Sequence, residues 1–388
     1  MKNKRILILT GVFLKDVGGP PTLLKALNKE LIDYGYQVKI LTFGNKKETK
    51  KYSYPVKVVY DKWPSFLKSF LYLTKGLILG IKTDIIYNQD LYTPGFTGLI
   101  IKKVLKKKLV TRFVGDSAWE IALNKKETTD DIMDFQNNKY SKLIERRKRT
   151  RKKILENSDK IIVVSYFLKK LAIKIGISEE KIKVIYNSID FLDIENNLKV
   201  DLKKELNITG KVILTNARLT PWKGVDMLIK IMPNLIDIHK DIKFIIISEG
   251  PERKNLEKLT IDLDIEDHVF FAGRVSRELV VEYLKISDVF VLNTNYEGMS
   301  HVLLEAMKVG TPIITTKAGG NPETIKDEET GLLVDYRDEE QWIEAINNIL
   351  DNQDLAEKLV KQAKNDLKRF NWDNLVKETI KVFKRIYV

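Results

Sequence analysis

Short apolar runs recur along the chain, separated by longer stretches in which apolar residues return every three or four positions. RILILTG, QVKILTF, DIIYNQ, KLVTRFVG and KIIVVS punctuate the first half. VILTNAR, KFIIISEG, HVFFAG, DVFVLNTN, PIITT and GLLVD punctuate the second. These runs are rich in Ile and Val and hardly alternate with polar residues, as expected of parallel strands covered on both faces. The segments between them, such as PPTLLKALNKELIDYG and GVDMLIKIMPNLIDIH, carry helical periodicity. The pattern is strand, helix, strand, repeated, and it predicts an α/β protein with parallel sheets.

The series restarts midway. A polar, irregular stretch runs from about Asn187 to Asn207, and a new strand opens at Lys211. We place a domain boundary near residue 190, with a first domain over 1–190 and a second over 191–371. The length of 388 residues suits two domains. Two doubly wound domains would each bind ligands at the carboxyl ends of their strands, and facing one another they would form one deep cleft. The last segment, about 372–388, is amphipathic, with Val376, Ile380, Val382, Phe383 and Ile386 in one stripe. Periodicity alone lets it pack on either domain.

Composition narrows the chemistry. There is no cysteine, which excludes a disulfide scaffold, a thiolate nucleophile and cysteine-ligated zinc. The three histidines, His239, His268 and His301, are far apart in sequence, so a histidine-based metal site is not expected. The opening MKNKRILILTG has too short an apolar run for a secretory leader and reads as a first buried strand. No stretch approaches the roughly 20 apolar residues that span a bilayer. These features suit a cytoplasmic protein. The net charge of +14 favours an anionic partner, and two basic runs, IKKVLKKK (101–108) and ERRKRTRKK (145–153), lie in the first half.

Four places carry candidate chemistry. In TNYEGMSHVLLEAMKVGTPIITT (294–316), a strand leads through a short loop into a helix capped by Ser300 and stopped at Gly310. Its first amides form an anion site. Glu297 stands in the loop, free to meet a ligand or simply solvated, and Glu305 stands one turn inside the helix, where a carboxylate reaches a ribose diol or merely meets the helix dipole. Val302, Leu303 and Ala306 are expected to face the core. In TNARLTPWKG (215–224), Arg218 and Lys223 follow a strand's carboxyl end, an arrangement suited to a diphosphate and to the charge that builds as a phosphate departs. In GVFLKDVGGPPTLLKAL (11–27), Gly18 and Gly19 precede a helix and permit close approach to a phosphate, or simply make a turn. In FVGDSAWE (113–120), Asp116 stands at a strand end, where it binds a sugar hydroxyl or caps a helix. The DLD at 262–264 has metal-binding spacing but sits at a helix end, where turn acids explain it better.

These pieces, in this order, resemble glycosyltransferase family 4, retaining enzymes of the GT-B fold with two Rossmann-like domains. VIYNSID resembles the family's domain-junction motif, usually with Gly where Ser188 stands. ARLTPWKG resembles its diphosphate motif, SEGPERKNLEKL and FAGRVSRELVVEYLKISDVFV its middle segments, EGMSHVLLE its paired-glutamate motif, and AGGNPE the loop that follows. The resemblance implies that Arg218 and Lys223 hold the donor phosphates, Glu305 the ribose and Glu297 the transferred sugar. It gives that sugar the amides after Gly298, in the segment Met299, Ser300, His301 and Val302. The Gly19 amide would meet the phosphates, and the backbone at Arg274 and Val275 would frame the base. It further implies a C-terminal helix crossing back to the first domain, and transfer with retention and without a required metal or other cofactor. The donor is a nucleotide sugar, UDP-sugar favoured and GDP-sugar next. The acceptor is a saccharide or a lipid-linked one, in cell-envelope polysaccharide or glycolipid synthesis. Many members carry a histidine in the first domain that contacts the sugar. Here no histidine precedes His239, and Asp116 occupies the equivalent loop.

The segment KWPSFLKSFLYLTKGLILGIK (62–82) is apolar and aromatic with interspersed lysines. With the basic runs it suggests an anionic membrane surface as a partner of the first half, against the alternative of a buried helix with solvated lysines. Two rival functions are weaker. A nucleotide-sugar 2-epimerase on the same fold lacks the EGMSHVLLE arrangement. A nucleic-acid-binding protein would interleave aromatics with its basic runs, and ERRKRTRKK has none.

Overall fold

The computed structural model describes residues 4–14, 19–189 and 201–387. Gly18 and most of the irregular stretch between Asn187 and Asn207 lie outside the described residues. The chain divides into two compact units. One comprises Met1–Ala122, Glu127–Ser188 and Trp372–Val388, the other Leu123–Lys126 and Ile189–Asn371.

The first unit holds seven strands: β1 (Arg5–Leu9), β2 (Gln37–Phe43), β3 (Val56–Val59), β4 (Ile85–Asn88), β5 (Lys108–Phe113), β6 (Lys160–Val163) and β7 (Ile182–Val184). Their order is β3-β2-β1-β4-β5-β6-β7, and every pairing is parallel. β1 is central, with Ile6 in register with Val38 on one side and Ile85 on the other. Ile6, Leu7, Ile8 and Leu9 are all buried, which is why an uninterrupted apolar run marks this strand. Each such side chain contributes about 1.5–3 kcal/mol on full burial. The sequence pattern does not predict β3 and β7. Both are short edge strands interrupted by a lysine, VKVV and IKV, so they lack the apolar run of a central strand.

The helices Ser65–Ile81 and Thr93–Leu105 cover one region of this sheet. They meet closely because Gly76 and Gly80 face Thr97 and Ile101. A Cβ at Gly76 would lie 2.4 Å from the Thr97 methyl. The C-terminal helix Trp372–Arg385 packs within this same unit. Phe383 meets Tyr87 edge-on at 5.1 Å, Lys183 pairs with Glu378 at 2.9 Å, and the Trp372 indole donates to Glu30.

The second unit holds six strands: β8 (Val212–Asn216), β9 (Lys243–Ile247), β10 (Val269–Gly273), β11 (Val289–Leu292), β12 (Ile313–Thr316) and β13 (Leu332–Val334). The order is β10-β9-β8-β11-β12-β13, again all parallel. The segment expected as one helix over 224–239 is two, Val225–Lys230 and Met232–Ile238, broken at Ile231. Pro233 is the reason, since it has no N–H for a continuous helical ladder. In both sheets the connections reverse direction once, between β1 and β4 and between β8 and β11. Those two points are where open α/β sheets leave a crevice at the strands' carboxyl ends.

Candidate active site

At the β8/β11 junction the loops that leave the two strands are fastened to each other. Asn293 donates from its amide to the Gly224 carbonyl at 2.9 Å, and the Asn295 N–H donates to the Trp222 carbonyl at 2.8 Å. Gly224 has φ 50°, and a Cβ there would lie 2.5 Å from the Asn293 amide nitrogen, so only glycine fits the turn. The consequence is chemical. The Lys223 ammonium, from the loop after β8, forms an ion pair with the Glu297 carboxylate, from the loop after β11. The sequence separates these residues by three strands and four α-helices, and the fold makes them partners.

The Glu297 backbone is held from the β12 side. The Gly320 N–H donates to the Glu297 carbonyl at 2.8 Å. Gly319 adopts φ 61°, and a Cβ there would come within 2.3 Å of that carbonyl oxygen. This is the structural reason for a glycine pair in AGGNPE. Thr316 adds a bond from its hydroxyl to the Thr294 carbonyl at 2.6 Å.

The helix His301–Val309 begins after Ser300 and ends at Gly310, whose φ of 94° makes a left-handed cap. Ser300 is the capping residue by position, but its side chain makes no capping hydrogen bond. The first-turn amides therefore lack that partner, and the helix start keeps its affinity for anions. Gly298, Met299 and Ser300 are buried, while His301 and Val302 are half-buried. The core face comprises Leu303, Leu304, Ala306 and Met307. Val302 was expected there, but it sits in the first turn and lies only partly covered.

Glu305 is 8% exposed and accepts a bond from the Arg277 guanidinium at 2.5 Å. Burial raises its carboxyl above the ordinary glutamate value, and Arg277 opposes that rise. Arg277 is a candidate site residue that sequence reasoning missed. It opens the helix Arg277–Ile286, capped by Ser276, and its only local signal is that it closely follows Arg274 and Val275. Arg274 is exposed and Val275 half-buried, with no ion pair for Arg274 among the described residues. Arg218 is likewise exposed and without an ion pair among the described residues. The second unit thus gathers two acid–base pairs, Lys223–Glu297 and Arg277–Glu305, together with the uncommitted cation Arg218, at one end of its sheet.

The first unit treats Asp116 differently from the sequence expectation. Asp116 is fully buried and pairs with Arg151, itself 3% exposed, on the helix Lys142–Glu156. Gln136 donates to the same carboxylate at 3.1 Å, and the Ala118 N–H donates to it at 3.0 Å. Its oxygens are committed to holding the helix Ser117–Asn124 against its neighbours, so the helix-capping alternative describes it. Gly19 opens the helix Gly19–Asp33. In the DLD, Asp262 pairs with Lys258. His239 bonds Asn347 at 3.0 Å and His268 bonds the Ile242 carbonyl at 2.8 Å.

The run 145–153 is also not a uniform surface. Arg151 is buried on Asp116, Lys148 donates to the carbonyls of Phe135 and Asn138, and Arg147 stacks 4.3 Å from the Tyr92 ring.

Comparisons with known proteins agree with this architecture. The family model described as Glycosyltransferase Family 4 matches residues 17–191, and the one described as Glycosyl transferases group 1 matches residues 199–366. An uncharacterized glycosyltransferase of Methanocaldococcus jannaschii is 28% identical over 388 residues, spanning 95% of this chain and 94% of its own. A GDP-mannose-dependent alpha-(1-6)-phosphatidylinositol monomannoside mannosyltransferase of Mycobacterium tuberculosis is 30% identical over 166 residues, 41% of this chain and 43% of its own. Among solved structures, the Anabaena HepE complex with UDP and glucose superposes with a TM-score of 0.79 at 20% identity, covering 98% of this chain and 100% of that one. Two family models that follow one another along nearly the whole length, on two parallel-sheet units, establish that the chain belongs to the glycosyltransferases of the family 4 type, with the GT-B fold.

Proposed function

We propose that this protein transfers a sugar, with retention at the anomeric carbon, from a nucleotide-sugar donor to a saccharide or lipid-linked acceptor, and that it needs no metal to do so. The observation that carries the reading is the fastened Lys223–Glu297 pair at the β8/β11 junction, with Arg218 uncommitted at the end of β8. Arg218 and Lys223 hold the diphosphate and stabilise the departing nucleotide. The amides from Gly298 to Val302 add donors to the same anion and to the sugar. Glu297 holds the transferred sugar, and Lys223 fixes it in place before the donor arrives. Glu305 receives the ribose hydroxyls, oriented by Arg277. The backbone at Arg274 and Val275 frames the base. Catalysis then rests on positioning and on charge stabilisation at the leaving phosphate.

UDP-sugar is the favoured donor and GDP-sugar the next. The HepE structure contains UDP, and the mycobacterial relative is named for GDP-mannose. A thermal-shift panel with UDP, GDP, ADP, CMP and dTDP, without added metal, tests this. One nucleotide should raise the melting temperature by mass action, and Arg218→Ala and Glu305→Ala should remove the shift. No shift with any nucleotide would contradict the reading.

The acceptor side of the proposal places the first unit on the cytoplasmic face of an anionic membrane, in cell-envelope polysaccharide or glycolipid synthesis. The support is the helix Ser65–Ile81. Phe66 is 77% exposed and Ile78 68%, with Trp63, Phe70 and Ile81 also exposed. Lys68, Lys75 and Lys82 recur every two helical turns along one flank. An apolar face edged by cations suits the headgroup region of anionic lipid. Among the described residues no helix is long and apolar enough to cross a membrane. Vesicles containing phosphatidylglycerol should co-sediment the protein at low salt, and Phe66→Ser with Phe70→Ser should abolish it. Equal binding to neutral vesicles, or none at low salt, would remove this part.

A further inference from the structure

The β1/β4 junction of the first unit carries a carboxylate bonded to the loop after the neighbouring strand. Asp90 follows the carboxyl end of β4, and its Oδ2 accepts the Gly11 N–H, from the loop after β1, at 2.5 Å. Among the described residues it forms no ion pair. Burial raises its carboxyl above the ordinary aspartate value, against the lowering effect of the bonds from the Gly11 N–H and the Thr10 hydroxyl. The surroundings are built rather than incidental. The buried Tyr72 hydroxyl ties the end of β1 to β2, donating to the carbonyls of Thr10 at 3.1 Å and Leu41 at 2.7 Å. A Cβ at Gly95 would lie 2.4 Å from the Asp90 carbonyl, so the start of the helix Thr93–Leu105 presses on that backbone. A Cβ at Gly11 would stand 3.4 Å from Oδ2, and glycine leaves that approach open. The neighbouring Gln89 has a buried amide nitrogen with no hydrogen-bond partner among the described residues.

A half-buried carboxylate with two donors, the Gly11 N–H and the Thr10 hydroxyl, still has lone pairs to spare, and leaving them unmet costs free energy. A cation would have met them, as Arg151 does for Asp116. Vicinal hydroxyl groups, each donating to the carboxylate, meet them too, and the junction is where ligands enter a doubly wound sheet. We propose that Asp90 is the hydroxyl-binding group of the first unit, holding the saccharide or polyol that receives the sugar. This rests on the transferase reading above.

The test is saturation-transfer NMR on the full chain with methyl α-D-glucopyranoside, methyl α-D-mannopyranoside and myo-inositol. Asp90→Asn and Gly11→Ala run beside the native protein, and the nucleotide thermal-shift panel runs on the same samples. At least one polyol should bind the native protein. Its dissociation constant should rise roughly tenfold or more in Asp90→Asn, as expected for loss of a charged hydrogen-bond acceptor, and should also rise in Gly11→Ala. The nucleotide shift should be equal in all three proteins. Polyol binding unchanged in Asp90→Asn, or no binding of any of the three, overturns the assignment. Loss of the nucleotide shift in folded Asp90→Asn also overturns it, because the residue would then serve the donor. Polyol binding through Asp90 in a protein that shifts with no nucleotide supports the subsite and removes the transferase reading instead.

Discussion

At the β8/β11 junction the strand ends deliver Lys223 to Glu297, with Arg277 on Glu305 and Arg218 free of ion pairs among the described residues, whereas at the β1/β4 junction they deliver Asp90 to the Gly11 N–H and the Thr10 hydroxyl. Both sheets are parallel and doubly wound, and both reverse direction at an equivalent point. What differs is the charge placed there. Cations, paired acids and helix amides suit a diphosphate-bearing ligand. An acid without a cation suits neutral hydroxyls. The same backbone topology therefore offers two kinds of site, and the side chains at four strand ends decide which.

The largest effect expected separates Asp116 from Asp90. Asp116→Ala leaves Arg151 buried without its partner and should cost about 3–5 kcal/mol in a urea titration. Asp90→Ala removes a carboxylate that has no ion pair among the described residues and should cost less than about 1 kcal/mol by the same measurement. Equal losses would erase the distinction between a structural and a ligand-binding acid. Next is Arg218→Ala, which should lower turnover by about 100- to 1,000-fold by analogy with loss of one charge-stabilising donor. Because Arg218 is exposed, its melting temperature should not move.

Gly319→Ala comes third. At φ 61° a side chain is strained by about 1–2 kcal/mol, and the added methyl displaces the Glu297 carbonyl. Activity should fall further than stability, as read by turnover against melting temperature. The smallest effect is on pH dependence. Glu305 binds ribose as the carboxylate, so affinity for the nucleotide should be full at high pH and be lost as pH falls through its raised value. Arg277→Ala removes the opposing cation, so the loss should begin at a still higher pH. A calorimetric titration at several pH values checks the direction.

Much of this was legible in the sequence, and the parts that were not have physical reasons. The central strands show as Ile- and Val-rich runs because both their faces are covered. β3 and β7 are edge strands too short and lysine-interrupted to show. The second unit's site was legible because each loop carries its own chemistry in a few consecutive residues, ARLTPWKG and EGMSHVLLE. Its pairings were not, since Arg277 reaches Glu305 and Lys223 reaches Glu297 only through strand order. The first unit was harder. Asp116 looked available because its partner, Arg151, sits inside a run that reads as solvated charge. Asp90 was passed over because DLYTPG has no motif, and only the adjacency of β1 and β4 brings it to Gly11.

The most direct test of the central claim is hydrogen exchange by mass spectrometry, with and without the nucleotide that shifts the melting temperature. Slower exchange should appear in peptides spanning 216–224 and 294–306, at the β8/β11 junction, and not in 253–262, the helix Arg253–Asp262 beside β9. Protection that spares both junction peptides, or that falls on the β1/β4 junction alone, would contradict the placement of the donor in the second unit.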